Sequence, residues 1–164
     1  MYSAHQKLSS LSIADLPSAS SFKFAVVVAD WNAEITTALC DAAVQTLIDC
    51  KAKNENIKIV RVPGSFELVA GAVLIANTGH YDAVICLGCI IQGETRHFEF
   101  IASAVANGLA NVSIQYLKPV IFGVLTTDTL VQAKERAGGK HGNKGIEAAI
   151  AALKMVYLQK NLIL

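Results

Sequence analysis

The chain has 164 residues, close to the size of one domain, and 53% of them are hydrophobic against only 16% charged. A soluble chain usually carries about 25% charged residues, so this balance argues against disorder and points to surface covered by partners. The net charge of +1 supplies no basic field for nucleic acid or anionic lipid, and the longest apolar runs, such as Ala148–Leu153, fall far short of the ~20 residues of a membrane span.

Met1–Ser20 shows no charged-then-apolar signal pattern, and its Ser9-Ser10 and Ser18–Ser21 stretches suggest a flexible N-terminal arm, residues 1–21, ahead of one domain over residues 22–164. Lys23–Asp30 is a short, β-branched apolar run, expected as a buried strand. Asn32 is placed to cap a following helix on which Ile35, Leu39, Ala43 and Leu47 recur on one face. Asn56–Val62 reads as a second strand, ended by Pro63-Gly64. Ser65 is placed to cap a helix carrying Leu68, Ala72 and Ile75, which stops near Thr78-Gly79. Asp82–Ile91 is a third strand, His97–Tyr116 a helix and Pro119–Leu125 a fourth strand. Helices over Asp128–Ala137 and Asn143–Gln159 then flank Gly138-Gly139-Lys140-His141-Gly142.

Alternation of helices with continuously apolar strands is the signature of a parallel sheet covered on both sides. The expected fold is α/β: a single three-layer αβα domain whose four-stranded parallel sheet is flavodoxin-like, with helices on both faces. Four cysteines (Cys40, Cys50, Cys86, Cys89) include one C-x-x-C spacing, Cys86 to Cys89, but it lies inside an apolar run without a second close pair. Buried thiols of a cytoplasmic protein are the expectation, with no metal site.

The polar residues fall where strands give way to helices. Asp30-Trp31-Asn32 follows the first strand, Ser65-Phe66-Glu67 the second, Gln92–His97 the third and Thr126-Thr127-Asp128 the fourth. That is the carboxyl edge of the sheet, where helix N-termini present free N–H groups to ligands. Trp31 is either a packing staple or a flat plate for a planar heterocycle. Ser65 and Glu67 are either ordinary first-turn residues or hydrogen-bonding partners for a polyol. Gly93-Glu94-Thr95 opens backbone amides to an anion, and His97 is the only histidine within a polar cluster, suited to proton transfer. Arg136 and Lys144 flank the glycine stretch as a solvated face or as a pair of cations for phosphate.

Four motifs follow in order: Val62-Pro63-Gly64-Ser65-Phe66-Glu67-Leu68, Gly88–Phe98 (GCIIQGETRHF), Phe122–Thr127 (FGVLTT) and Gly138–Gly145 (GGKHGNKG). From about Phe22 to Tyr157 the chain resembles the 6,7-dimethyl-8-ribityllumazine synthases. The resemblance implies condensation of 5-amino-6-ribitylamino-pyrimidinedione with 3,4-dihydroxy-2-butanone 4-phosphate to the lumazine, phosphate and water, the penultimate step of riboflavin biosynthesis, without a cofactor. It implies that Trp31 stacks on the pyrimidine, that Ser65 and Glu67, beside Phe66, bond the ribityl hydroxyls with Asn32 nearby, and that backbone at Cys89, Ile90 and Ile91 reads the ring edge. Glu94, through its amide rather than its carboxylate, would hold phosphate with Thr95 and Arg136, and His97 would move protons. Phe122, Arg136 and Lys144 would come from a neighbouring subunit of a homopentamer, twelve of which form an icosahedral 60-subunit shell in some members. A flavin carrier of similar fold would need a Ser/Thr-rich loop where Ala29–Asn32 stands, and a phospho-receiver would need an aspartate at Ile90–Gln92. A catalytically dead shell protein is a third alternative, against which the intact His97, Arg136 and Lys144 speak.

Overall fold

Three apolar runs and one mixed run, Ile57–Val62 with Lys58 and Arg61, become the four strands of one parallel sheet, and the segments between strands become helices that cover it. The mixed run is an edge strand with no buried residue, so the expectation of continuously apolar strands fails there. The structure is a computed structural model that describes residues 12–162. In chain order the elements are β1 (Phe24–Ala29), α1 (Ala33–Asp49), β2 (Ile57–Val62), α2 (Leu68–Asn77), β3 (Ala83–Ile91), α3 (His97–Tyr116), β4 (Val120–Thr127), α4 (Leu130–Arg136), β5 (Ala137–Gly139), β6 (Gly142–Asn143) and α5 (Lys144–Leu162). The sheet order is β2-β1-β3-β4, and all its pairings are parallel.

The strand side chains divide the core in two. Phe24, Val26 and Val28 of β1, with Ile85 and Leu87 of β3, pack beneath α1 and α5 against Leu39, Leu47 and Leu153. Val27 and Ala29, with Val84 and Cys86, pack on the opposite face against Leu68 and Ala72 of α2 and Val105 and Leu109 of α3. The three-layer arrangement is therefore the one expected from continuous apolar strands. Truncating a wholly buried member such as Leu39 to alanine costs about 2–5 kcal/mol.

Cys86 and Cys89 lie in different halves of this core. Three residues apart on a strand, they project to opposite faces, so the C-x-x-C spacing forms neither a disulfide nor a shared metal site. All four thiols are buried and unpaired. Burial pushes Cys89 up to about 11 and Cys86 higher still, which keeps both protonated and poorly nucleophilic.

Several local expectations give way to tertiary structure. Asn32 does not cap α1 with its side chain: its backbone is left-handed (φ 59, ψ 46) rather than extended, which turns the amide away from the helix amides. Ser65 does not cap α2 either. The chain makes a turn first, with Leu68 N donating to Ser65 O at 3.3 Å, and Glu67 occupies the cap position. β4 runs on through Thr126 and Thr127, so these are strand residues, and the helix expected from Asp128 starts at Leu130. Its cap is Thr129, whose Oγ1 accepts from Gln132 N while Gln132 Oε1 accepts from Asp128 N. The glycine stretch folds as the small antiparallel β5–β6 hairpin, with Gly138 and Gly142 at φ 120 and 83.

The expected arm lies mostly outside the described residues. Within its described part, Ser12 caps a turn over Ile13–Asp15, and Ala19 is wholly buried with its N–H donating to Cys50 O at 2.7 Å. Among the described residues no helix is long and apolar enough to cross a membrane.

Candidate active site

Three of the four polar clusters meet. The ends of β1, β2 and β3 and the first turns of α2 and α3 surround a cavity of about 540 Å³ lined by Trp31, Asn32, Ser65, Phe66, Glu67, Cys89, Ile90, Ile91, Thr95 and His97. This is the crevice outside the carboxyl ends of parallel strands. Trp31 and Phe66 project from it, 72% and 55% exposed, which a merely packed staple would not do.

The Trp31 segment is tied to both flanking strands. Asp30 N donates to Val62 O at 2.8 Å and Trp31 N to Pro63 O at 3.1 Å. On the other side Asn32 Nδ2 donates to the Cys89 carbonyl at 2.9 Å. That carbonyl keeps a second lone pair.

Ser65 is buried, and its hydroxyl has no hydrogen-bond partner among the described residues. It sits in a recess left by Gly88, where a β-carbon would stand 2.7 Å from Ser65 Oγ. Glu67 is exposed at the start of α2, where the helix dipole favours its charge.

Gly93–His97 leads into the 20-residue helix α3. Thr95 Oγ1 accepts from His97 N at 3.4 Å, which leaves the Thr95 proton free to donate. Gln92 holds the loop, its N–H donating to Thr127 O and its side chain to Gly93 O. His97 is exposed at the cavity wall, within one helical turn of Ile101.

Glu94, Phe122, Arg136 and Lys144 do not line this cavity. Phe122 is half-buried against the core face beneath α2 and α3. Arg136 and Lys144 converge instead on Glu147. Both Arg136 Nη atoms donate to the two carboxylate oxygens at 3.1 Å, Arg136 Nη1 also donates to His141 O at 2.7 Å, and Lys144 Nζ donates to Glu147 Oε2 at 3.3 Å. Burial of Glu147 opposes its ionisation, but the Arg136 and Lys144 contacts outweigh it and hold the carboxyl below its ordinary value. Arginine has five N–H donors, so three engaged bonds leave one Nη2 proton and the Nε–H for another ligand.

Residue patterning did not single out Glu147, Phe98 or Ile101. Lys144 and Glu147 stand at i, i+3 on one helix face, which is a readable signal. Ile101 follows His97 at i+4 and, read from periodicity alone, is a core residue. Among the described residues no group of three or more His, Cys, Asp or Glu gathers as a metal site.

An α/β domain with its polar clusters at the carboxyl edge of a four-stranded parallel sheet, and a histidine at the cavity wall, defines a small-molecule enzyme of flavodoxin-like fold. A family profile for 6,7-dimethyl-8-ribityllumazine synthase matches residues 21–160. Proteins described by that name are similar along nearly the whole chain. One from Cytophaga hutchinsonii is 56% identical over 156 residues, covering 95% of this chain and 98% of that protein. Another, from Parabacteroides distasonis, is 48% identical over the same shares. A third, from Bacteroides fragilis, is 50% identical over 134 residues, covering 82% of this chain and 94% of its own. The chain belongs to the 6,7-dimethyl-8-ribityllumazine synthase family.

Proposed function

We propose that this chain catalyses the reaction its family is named for, a transferase step that condenses 5-amino-6-ribitylamino-pyrimidinedione with 3,4-dihydroxy-2-butanone 4-phosphate, and that the cavity at Trp31–His97 is where it happens. The observation that carries the reading is the convergence in one cavity of an indole (Trp31), a hydroxyl and a carboxylate (Ser65, Glu67) and an imidazole (His97) from three separate strand ends.

In this reading Trp31 stacks on the pyrimidine while backbone at Cys89, Ile90 and Ile91 reads its polar edge, and Ser65 and Glu67 bond the ribityl hydroxyls. The butanone phosphate lies at the start of α3, its phosphate against the Glu94 amide and the Thr95 hydroxyl, where the helix dipole and free N–H groups favour an anion. The 5-amino nitrogen attacks the ketone carbonyl and water leaves as the imine forms. A proton is then taken from C3 of the butanone as phosphate leaves C4, and the resulting enol takes up a proton at C4 to become a ketone at C3. The ribitylamino nitrogen closes the ring onto that new carbonyl with loss of a second water. Each stage needs a proton taken up or released, and the His97 imidazole at the cavity wall is the group suited to carry it. Holding both substrates in register supplies much of the rate.

Phe122, Arg136 and Lys144 complete the site from an adjacent subunit. That assignment is supported by their position outside this chain's own cavity and by the two Arg136 N–H groups left unengaged. Head-to-tail contact of this kind closes into a ring, here a pentamer, with the 60-subunit shell as the larger assembly. The outer edge of β2, where Ile59 is 46% exposed and no strand pairs with it among the described residues, is suited to a neighbour's arm. A cytoplasmic location, supported by four unpaired thiols, belongs to the same reading. Mixing the two substrates with the protein and following lumazine absorbance and fluorescence tests the activity; no product above the uncatalysed background overturns it.

A further inference from the structure

Residue 32 combines a left-handed backbone with a long-range hydrogen bond. It is one of three non-glycine residues with positive φ among the described residues, the others being Lys51 and Leu117. Besides glycine, asparagine and aspartate enter this region most readily. The conformation is imposed by the path of the chain, which leaves β1 at Ala29 and must enter α1 at Ala33. Backbone strain of this sort, located in a cavity wall, raises the question of what it holds in place.

The strand register gives the answer. The β1–β3 ladder stops at Val28 opposite Leu87, two residues short of Cys89, whereas the β3–β4 ladder continues through Cys89 and beyond. On its β1 side the Cys89 carbonyl has therefore outrun its neighbouring strand, and the Asn32 side chain supplies the missing donor at 2.9 Å. On the far side of β1 the ladder to β2 ends at Ala29 opposite Val62 and is prolonged by the Asp30 and Trp31 N–H groups. Trp31 thus stands on a short loop fastened at both sides, and the Asn32 amide fastens it to the Cys89–Ile91 strand end, which also lines the cavity.

We propose that Asn32 is a positioning residue: its side-chain amide sets the indole of Trp31 at a fixed spacing from the Cys89–Ile91 strand end, so that a slot for a flat heterocycle exists before the ligand arrives. This rests on the reading of Trp31 as the plate for the pyrimidine. Preorganisation of this kind acts on the affinity for the ring and leaves the binding of the phosphate substrate unaffected.

Trp31 is the only tryptophan of the chain, so its fluorescence reports on the slot directly. Asn32→Gly suits the left-handed backbone and removes only the amide, while Asn32→Asp keeps the shape and replaces the donor by an acceptor facing a carbonyl. Both variants, with Trp31→Ala in parallel, are compared with the unaltered protein in steady-state kinetics and, except for Trp31→Ala, in time-resolved anisotropy without substrate. The expected result is a KM for the pyrimidinedione raised about tenfold, the worth of one lost hydrogen bond, with the KM for the butanone phosphate within about twofold. The same variants widen the local motion of Trp31. A raised KM with Trp31 motion as in the unaltered protein makes Asn32 a direct substrate contact and overturns the proposal, as does an unchanged KM for the pyrimidinedione in Asn32→Gly when Trp31→Ala raises it. If Trp31→Ala itself leaves that KM unchanged, the plate reading falls, and the anisotropy of Asn32→Gly still decides whether the amide holds Trp31: unwidened motion overturns that as well.

Discussion

Glu147 takes both Nη groups of Arg136 at 3.1 Å and the ammonium of Lys144 at 3.3 Å, so two cations on either side of the glycine hairpin share one carboxylate. The arrangement is fixed from behind. Asn143 joins the start of α5 to α1 through Ala38 O and Gly145 N, and Gly145 lies so close to Leu39 O that a β-carbon there would overlap it. One carboxylate against two cations leaves a surplus positive charge, which suits a phosphate neighbour.

The pH dependence of stability follows from the sign of the Glu147 shift. A carboxyl held below its ordinary value in the folded state stabilises the fold above the unfolded value, near about 4.3, and that contribution is lost as pH falls through the lower folded value. Glu147→Gln should cost about 1–3 kcal/mol at neutral pH, the penalty of unpairing a half-buried arginine, and the gap to the unaltered protein should close on acidification below about pH 4. Urea unfolding at a series of pH values measures this; a gap independent of pH contradicts it.

For Arg136 the expected signature is selectivity between substrates. Arg136→Ala should raise the KM for the butanone phosphate by about tenfold or more and leave that for the pyrimidinedione nearly unchanged. Arg136→Lys should rescue poorly, because an ammonium cannot bridge Glu147 and a phosphate as a planar fork does. Equal effects on both substrates would mean that Arg136 serves the hairpin alone.

His97→Ala should lower turnover by about 10–10³-fold, at or below the usual range for a general acid–base group, because substrate positioning supplies the rest. Steady-state turnover of the variant measures it. An unchanged value removes His97 from the proton transfers.

Substrate contact with Trp31 should be visible without kinetics. At 72% exposure in the single chain its emission should be that of a solvated indole, and stacking of the pyrimidine should quench it in a saturable way, while the butanone phosphate alone should not. Trp31→Phe should retain turnover within about threefold, since a benzene ring still offers an apolar face. Emission that ignores the pyrimidine places the ring elsewhere.

Sedimentation analysis tests the assembly. The expected species is a pentamer or a shell of 60 subunits, and activity should vanish on dilution or mutation to monomers, because Phe122, Arg136 and Lys144 would then be missing from every site. Active monomers overturn the shared site; active pentamers alone overturn only the shell.

Much of this was legible in the residues. Apolar runs of strand length separated by segments of helical period gave the four strands and five helices, and the four polar clusters marked the carboxyl edge. Boundaries slipped where side chains that usually cap were recruited elsewhere. Asn32 and Ser65 both have the chemistry of a cap, yet Asn32 serves Cys89, 57 residues away, and Ser65 lies buried in the recess at Gly88. The cap of α4, at Thr129 with Gln132, was readable as a Thr-x-x-Gln spacing.

The alternating α/β pattern and the placement of polar residues at the strand ends can be read from consecutive residues, because hydrophobic period and side-chain chemistry are local properties. The order β2-β1-β3-β4, the meeting of Trp31, Ser65 and His97 in one cavity, and the engagement of Arg136 by Glu147 come instead from the folded arrangement. These are contacts between segments far apart in the chain, set by packing two helix layers against one sheet, and no local pattern encodes which strand will lie beside which.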